Sequence, residues 1–145
     1  MFSKNSEALD YIYNLLTAQK VALGLQSVWY ADDEWAAPFP AAVLASGALL
    51  RTPYSTRTFQ VRLTVTIFVM HANLSVNHKT RTQQDLAMAE AVSALLHTDK
   101  SLGGNIISGT GYIATETPGI TNRPKGQNVV STSLVWNGES RQEFT

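Results

Sequence analysis

The longest regular pattern in the chain lies between Thr58 and Met70. Phe59, Val61, Leu63, Val65, Ile67 and Val69 alternate with Thr58, Gln60, Arg62, Thr64 and Thr66. A period of two sends successive side chains to opposite faces, so this stretch predicts a long strand with one buried face. At Phe68 and Met70 the polar face turns apolar. That end of the strand is expected to be covered on both sides.

Two segments carry helical spacing instead. In residues 5–22, Leu9, Ile12, Tyr13 and Leu16 share a face, which Tyr11, Leu15, Ala18 and Ala22 widen. Ser3, Asn5 or Ser6 supplies an N-cap, and Gly24 accepts the left-handed conformation that ends a helix. The second helix starts at a T-x-x-Q capping box, Thr80 to Gln83, and places Met88, Val92 and Leu95 on one face with Leu96 beside them. Leu102-Gly103-Gly104 closes it.

The remaining pieces read as strands and punctuation. Leu25–Ala31 centres on Val28, Trp29 and Tyr30. Asp32-Asp33-Glu34 forms a loop, and Pro38 and Pro40 hold the chain extended before a small-residue strand, Ala41–Ser46. Gly47 marks a turn or bulge, and Arg51–Thr56 is a loop. His71–Lys79 is a polar loop. Residues 105–116 and 127–137 are two closing strands, with Val130, Thr132, Leu134 and Trp136 inward on the last. Thr117-Pro118-Gly119 and Arg123-Pro124-Lys125-Gly126 punctuate the connection between them. The order is α-β-β-β-α-β-β. It predicts a single α+β domain over residues 1–145, a two-layer sandwich of a mostly antiparallel sheet with two helices on one side. Residues 138–145 are polar and are expected to form a flexible tail.

Composition narrows the possible chemistry. Charged residues make up 15% of the 145, well below the usual quarter or so. A surface this poor in charge is expected to be partly covered by partners. Formal net charge is zero, but Arg51, Arg57, Arg62, Lys79 and Arg81 fall in a stretch, Trp35 to Gln84, without one acidic residue. The first fifty residues carry Lys4 and Lys20 against Glu7, Asp10, Asp32, Asp33 and Glu34. Neutrality and the lack of a dense basic run argue against general nucleic-acid binding. The chain contains no cysteine, which excludes disulfides and thiolate metal sites. No apolar run has the length of a membrane span, and the N-terminus lacks a signal-peptide core.

Candidate chemistry is sparse, and no catalytic, cofactor or metal residue is assigned. Gly109-Thr-Gly111-Tyr-Ile-Ala114 has the letters of a dinucleotide fingerprint, but no strand-to-helix context surrounds it. His71, His78 and His97 lack ligand spacing. His71 and His78 flank a loop with no carboxylate nearby and read as solvated residues. Asp32-Asp33-Glu34 lacks the pattern of a calcium loop. Trp35 and Tyr54 fall in loops and are the better interface anchors, since aromatic residues dominate such contacts.

Four features in sequence order carry a family resemblance. They are the Phe39-Pro40-Ala41-Ala42-Val43 strand after an acidic loop, the alternating strand Phe59–Val69, the amphipathic helix after it, and the Leu102-Gly103-Gly104 turn entering a closing hairpin. Together they resemble the bacteriophage tail-terminator family, which includes minor tail proteins of lambda-like phages, from about Leu9 to Trp136. The resemblance implies a structural, non-enzymatic virion protein made in the host cytoplasm. As a homo-hexamer it would cap the tail-tube protein at the head-proximal end, stop its polymerisation and offer a joining surface to the head-tail connector or another neck protein. Genomic DNA would pass through the ring without sequence-specific binding. Such a ring needs a heterologous interface. Asp32, Asp33 and Glu34 are expected to face Arg51, Arg57 or Arg62 of a neighbour, and Trp35 and Tyr54 are expected at the same subunit interface. His71, Asn73, His78, Lys79, Arg123 and Lys125 are expected on loops facing tube or connector. Tail-completion and head-closure proteins share this architecture and remain alternatives, as does a small-ligand-binding α+β domain.

Overall fold

The computed structural model describes residues 1–30, 39–71, 78–99, 101–122 and 129–143, with the backbone alone at residues 78, 81, 118–122 and 129. Helices α1 (Asn5–Ala18) and α2 (Lys20–Leu23) precede four strands: β1 (Ser27–Tyr30), β2 (Ala41–Ser46), β3 (Leu50–Pro53) and β4 (Thr58–His71). Helix α3 (His78–Thr98) and strands β5 (Tyr112–Asn122) and β6 (Val129–Glu143) follow. The strands form one mixed sheet in the order β1-β2-β4-β6-β5, with β3 also beside β4. Among the described residues, only β1 and β2 pair in parallel and the other pairings are antiparallel. The expected α+β class is the observed one.

The alternating stretch forms the middle of the sheet. Along one side β4 pairs with β6 over its whole length, Thr58 opposite Glu143 and His71 opposite Val130. On its other side β2 takes the half from Val65 to Met70 and β3 the half from Phe59 to Arg62. Val61, Leu63, Val65, Ile67 and Val69 are fully buried and meet Ala8, Ile12 and Leu16 of α1 and Ala89, Val92 and Leu96 of α3. Both helices therefore lie on one face, as the period of two requires. Leu134 and Trp136 of β6 complete this core. On the opposite face, Val43 and Met70 are buried against Trp29, Phe39 and Phe68, so that end of β4 is covered on both sides, as its sequence indicates.

Between β2 and β3 the ladder is broken, and Asn5 fills the break. Its side-chain amide donates to the Gly47 carbonyl at 2.7 Å, and its carbonyl accepts from the Thr64 N–H at 3.1 Å. The side chain thus stands in for a peptide group where the backbone cannot pair. Gly47 is required there by close approach: a Cβ would lie 2.6 Å from Thr64 Cγ2. Asn5, the first residue of α1, thus bonds into the sheet rather than capping the helix, and the N-cap position, Lys4, makes no side-chain cap bond.

Several boundaries differ from expectation. The first helix breaks at Gln19, and Gly24, at φ 79°, ends α2. Leu50–Pro53, expected within or beside a loop, pairs as β3 because β4 extends far enough to offer it a ladder. Helix α3 begins at His78, so Thr80 lies inside it and is not its cap. Residues 105–111 form turns rather than strand, and β5 starts at Tyr112. Thr117-Pro118-Gly119 lies within β5, where the register against β6 shifts between Thr117 and Ile120. Gly138–Glu143, expected to be a flexible tail, continues β6 opposite Thr58–Leu63. These residues have few apolar side chains to mark them as strand, and the partner strand holds them by backbone pairing.

Candidate functional site

Three of the basic residues named from the sequence, Arg51, Arg57 and Arg62, gather at the Thr58 end of β4. There β3, the following turn and the last residues of β6 form a three-stranded tip. Every residue of β3 is exposed, and Leu50 and Tyr54 are 54% and 57% exposed. Three cations are held by this chain's own groups. Arg51 donates to Gln142 Oε1 at 3.2 Å and to the Ser3 carbonyl at 3.3 Å. Arg62 lies 3.7 Å from Glu139, its cross-strand neighbour, which also accepts from Gln60 at 2.8 Å. The Arg141 guanidinium stacks 4.2 Å above the Tyr54 ring. Arg57 is exposed in the turn, and its backbone N–H bonds to Ser55 Oγ at 3.4 Å. The tip therefore brings Arg51, Tyr54, Arg57 and Arg62 together. It adds Glu139 and Arg141, which lie in the stretch read as a tail.

The other end of β4 holds a buried ionisable cluster that sequence reasoning missed. His71 is the last residue of β4 and is 6% exposed. Its Nδ1 lies 2.6 Å from Asp85 Oδ1, and Thr132 Oγ1 donates to Asp85 Oδ2 at 2.7 Å. Asp85 is 0% exposed. It continues the buried stripe of α3 backward from Leu96, Val92 and Ala89, at the spacing that keeps one face inward. Burial pushes its carboxyl above the ordinary value of 3.8, while the bonds from His71 and Thr132 pull the other way. The expectation that His71 is a solvated contact residue is thus overturned. The side chain lies on the helix-covered face, and its carboxylate comes from fourteen residues downstream. An acidic residue on an apolar helical stripe was the available signal, because such a group needs a buried partner.

His71 also lines a groove of about 720 Å³ between α2, the Phe39-Pro40 turn and α3, with Leu23, Gln84, Ala87, Met88 and Ala91. The Phe39–Pro40 peptide is cis. Lys79 is exposed in the first turn of α3, and His78 opens that helix. Asp32, Asp33, Glu34, Trp35, Asn73, Arg123 and Lys125 lie outside the described residues, so the pairing of the acidic loop with the arginines is not seen.

The Leu102-Gly103-Gly104 turn is built around Asp99. Its carboxylate accepts from the Gly103 N–H at 2.8 Å and the Ser101 N–H at 3.1 Å. Those amides, Gly103 first, hold its pKa below 3.8. Leu102, Gly103 and Gly104 all have positive φ, at 45°, 69° and 82°. Leu102 accepts this conformation with its side chain buried in the core. The fingerprint letters at 109–114 fall on a turn followed by β5, so no helix N-terminus faces them. Among the described residues, no three of His, Asp or Glu are grouped to hold a metal, and no helix is long and apolar enough to cross a membrane.

Neither a protein-family model nor a curated protein matches the chain. Among solved structures it is similar to one from the virion of a native gene transfer agent particle, at 16% identity and a TM-score of 0.47, with 90% of this chain and 92% of that chain covered.

Proposed function

We propose that this chain is a structural protein of a phage-type virion, a tail terminator that assembles as a ring on the tail tube. The observation that carries the reading is the joint placement of the four features behind the resemblance. The Phe39–Val43 segment enters β2, β2 lies on β4, α3 covers β4 and β6, and the Leu102–Gly104 turn leads toward β5. They make one packed unit rather than scattered likenesses. On this reading the hexameric ring stops tube polymerisation, leaves a surface for the head-tail connector and lets DNA through. The exposed tip with Arg51, Tyr54, Arg57 and Arg62 is the lateral contact, and the acidic segment Asp32 to Glu34 of a neighbour is its complement. Purified protein mixed with finished tail tubes and imaged in negative stain tests it. Rings seated on tube ends are the expected result. Rings that bind only head connectors would reassign the chain to another neck position.

A second reading has one observation in its favour. The groove beside His71 falls in the size range of small-molecule sites, roughly 300 to 1,000 Å³. A stoichiometric small-molecule adduct in native mass spectrometry would favour a ligand-binding α+β domain.

A further inference from the structure

Among the described residues, the two outer edges of the tip have no strand beside them, and nothing in the sheet pairs beyond β3. On the other side β5 begins opposite Asn137, and Ile107 and Thr110 bond to the Glu139 backbone, so the outer edge of β6 is without a neighbouring strand from Ser140 to Glu143. The other sheet edges are less available. The β5 edge carries two register shifts and Pro118, devices that keep strands from joining. The β1 edge is four half-buried residues. At the tip, Pro53 stands at the end of β3, and the edges carry the charged Arg51, Arg141 and Glu143.

These two edges match each other. Both β3 and β6 run antiparallel to β4, so they run in the same direction. They also lie at the same level: Thr52 is opposite Gln60, and Gln60 is opposite Arg141. Each free edge is about four residues long. A copy rotated about an axis along the strands would bring its β3 beside the Ser140–Glu143 edge of the first, in parallel and with like faces aligned. That contact is heterologous and repeats around a closed ring. It also gives Leu50 and Tyr54 a neighbour to be buried against.

We propose that the occupant of these edges is a second copy of this chain, joined edge to edge through β3 and the end of β6 in a sheet shared between subunits. The proposal rests on the ring-forming part of the reading above and is independent of the tail role. Because the chain has no cysteine, introduced thiols report on it directly. Thr52→Cys combined with Arg141→Cys places two thiols on opposite sides of β4. Within one copy they are two strand spacings apart, about 10 Å, beyond the roughly 7 Å that a disulfide spans. Any bridge must therefore join two copies. Thr52→Cys with Glu143→Cys covers a register offset along the same face.

Each pair is tested after mild oxidation, alongside the single-cysteine variants and native mass spectrometry of the reduced protein. The expected result is a ladder of covalent oligomers from at least one pair and none beyond monomer from the singles. A ring that forms yet yields no ladder from either pair overturns the edge pairing and leaves the ring standing. Dimers from Thr52→Cys alone mean that β3 meets β3 about a two-fold axis, which also overturns it. A protein monomeric in its reduced, unsubstituted form at high concentration overturns both the edge pairing and the ring.

Discussion

The two ends of β4 share one sequence pattern and differ in almost everything else. At the His71 end the strand is buried on both faces, between the helices and the Val43–Met70 cluster. A buried hydrogen-bonded pair, His71 and Asp85, ties it to α3. At the Thr58 end, β3 and the following turn are exposed, and charged pairs face solvent. Alternation makes both ends strand, but neighbours decide what each end does. A polar group enclosed at the first end costs several kcal/mol when it is left unpaired, and the carboxylate of Asp85 is bonded on both oxygens. At the second end the same kinds of group are solvated, contribute little to folding and are left available for contact with other molecules.

The largest test of this contrast is Asp85→Ala. It leaves His71 and Thr132 buried without their acceptor, and a loss of about 3 to 5 kcal/mol in urea unfolding is expected. A loss below about 1 kcal/mol would mean the cluster is not enclosed as described. Asn5→Ala comes next, because it strands the Gly47 carbonyl and the Thr64 N–H in the sheet; roughly 2 kcal/mol is expected by the same measurement. Gly47→Ala drives a methyl into Thr64 and should cost about 1 to 3 kcal/mol. Arg62→Ala and Arg57→Ala, at the open end, should each change stability by no more than about 0.5 kcal/mol. If the tip is a subunit contact, Arg57→Ala weakens assembly in sedimentation while leaving the unfolding midpoint in place.

A pH titration sharpens the comparison further. The Asp85 carboxyl keeps its proton to a higher pH in the folded chain than in the unfolded one. Its contribution to stability therefore falls as pH rises from the ordinary 3.8 through the raised folded value. Asp85→Asn is expected to flatten that slope while keeping a hydrogen-bonding group between His71 and Thr132. Asp99 works in the opposite sense. Its lowered pKa gives stability above 3.8 that is lost as pH falls through the folded value. Asp99→Asn is expected to flatten the acid limb alone, which unfolding midpoints at a series of pH values would resolve.

Periodicity made much of this fold legible. Local spacing alone identifies β4, the Ile12 and Leu16 part of the buried face of α1, the Gly24 stop, the break at Gly47 and the double cover at Phe68 and Met70, whereas Ala18 and Ala22, expected on that helix face, are exposed. In each case the side chains that report the structure are close in sequence. The tip was half legible: Arg51, Tyr54, Arg57 and Arg62 stand out as a basic, aromatic-bearing stretch. Glu139 and Arg141 do not, because a polar strand held by backbone pairing looks like a tail.

The amino-acid order by itself determined the first and third helices, the long strand β4 and the buried face of β4, since these follow from the repeat of neighbouring residues. Only the tertiary structure decided that Asn5 mends a sheet, that His71 is enclosed beside Asp85 and Thr132, and that the last polar residues form strand. Each of those outcomes depends on partners between 14 and 85 residues away. A polar side chain carries the same letters whether water or another element of the chain satisfies its hydrogen bonds.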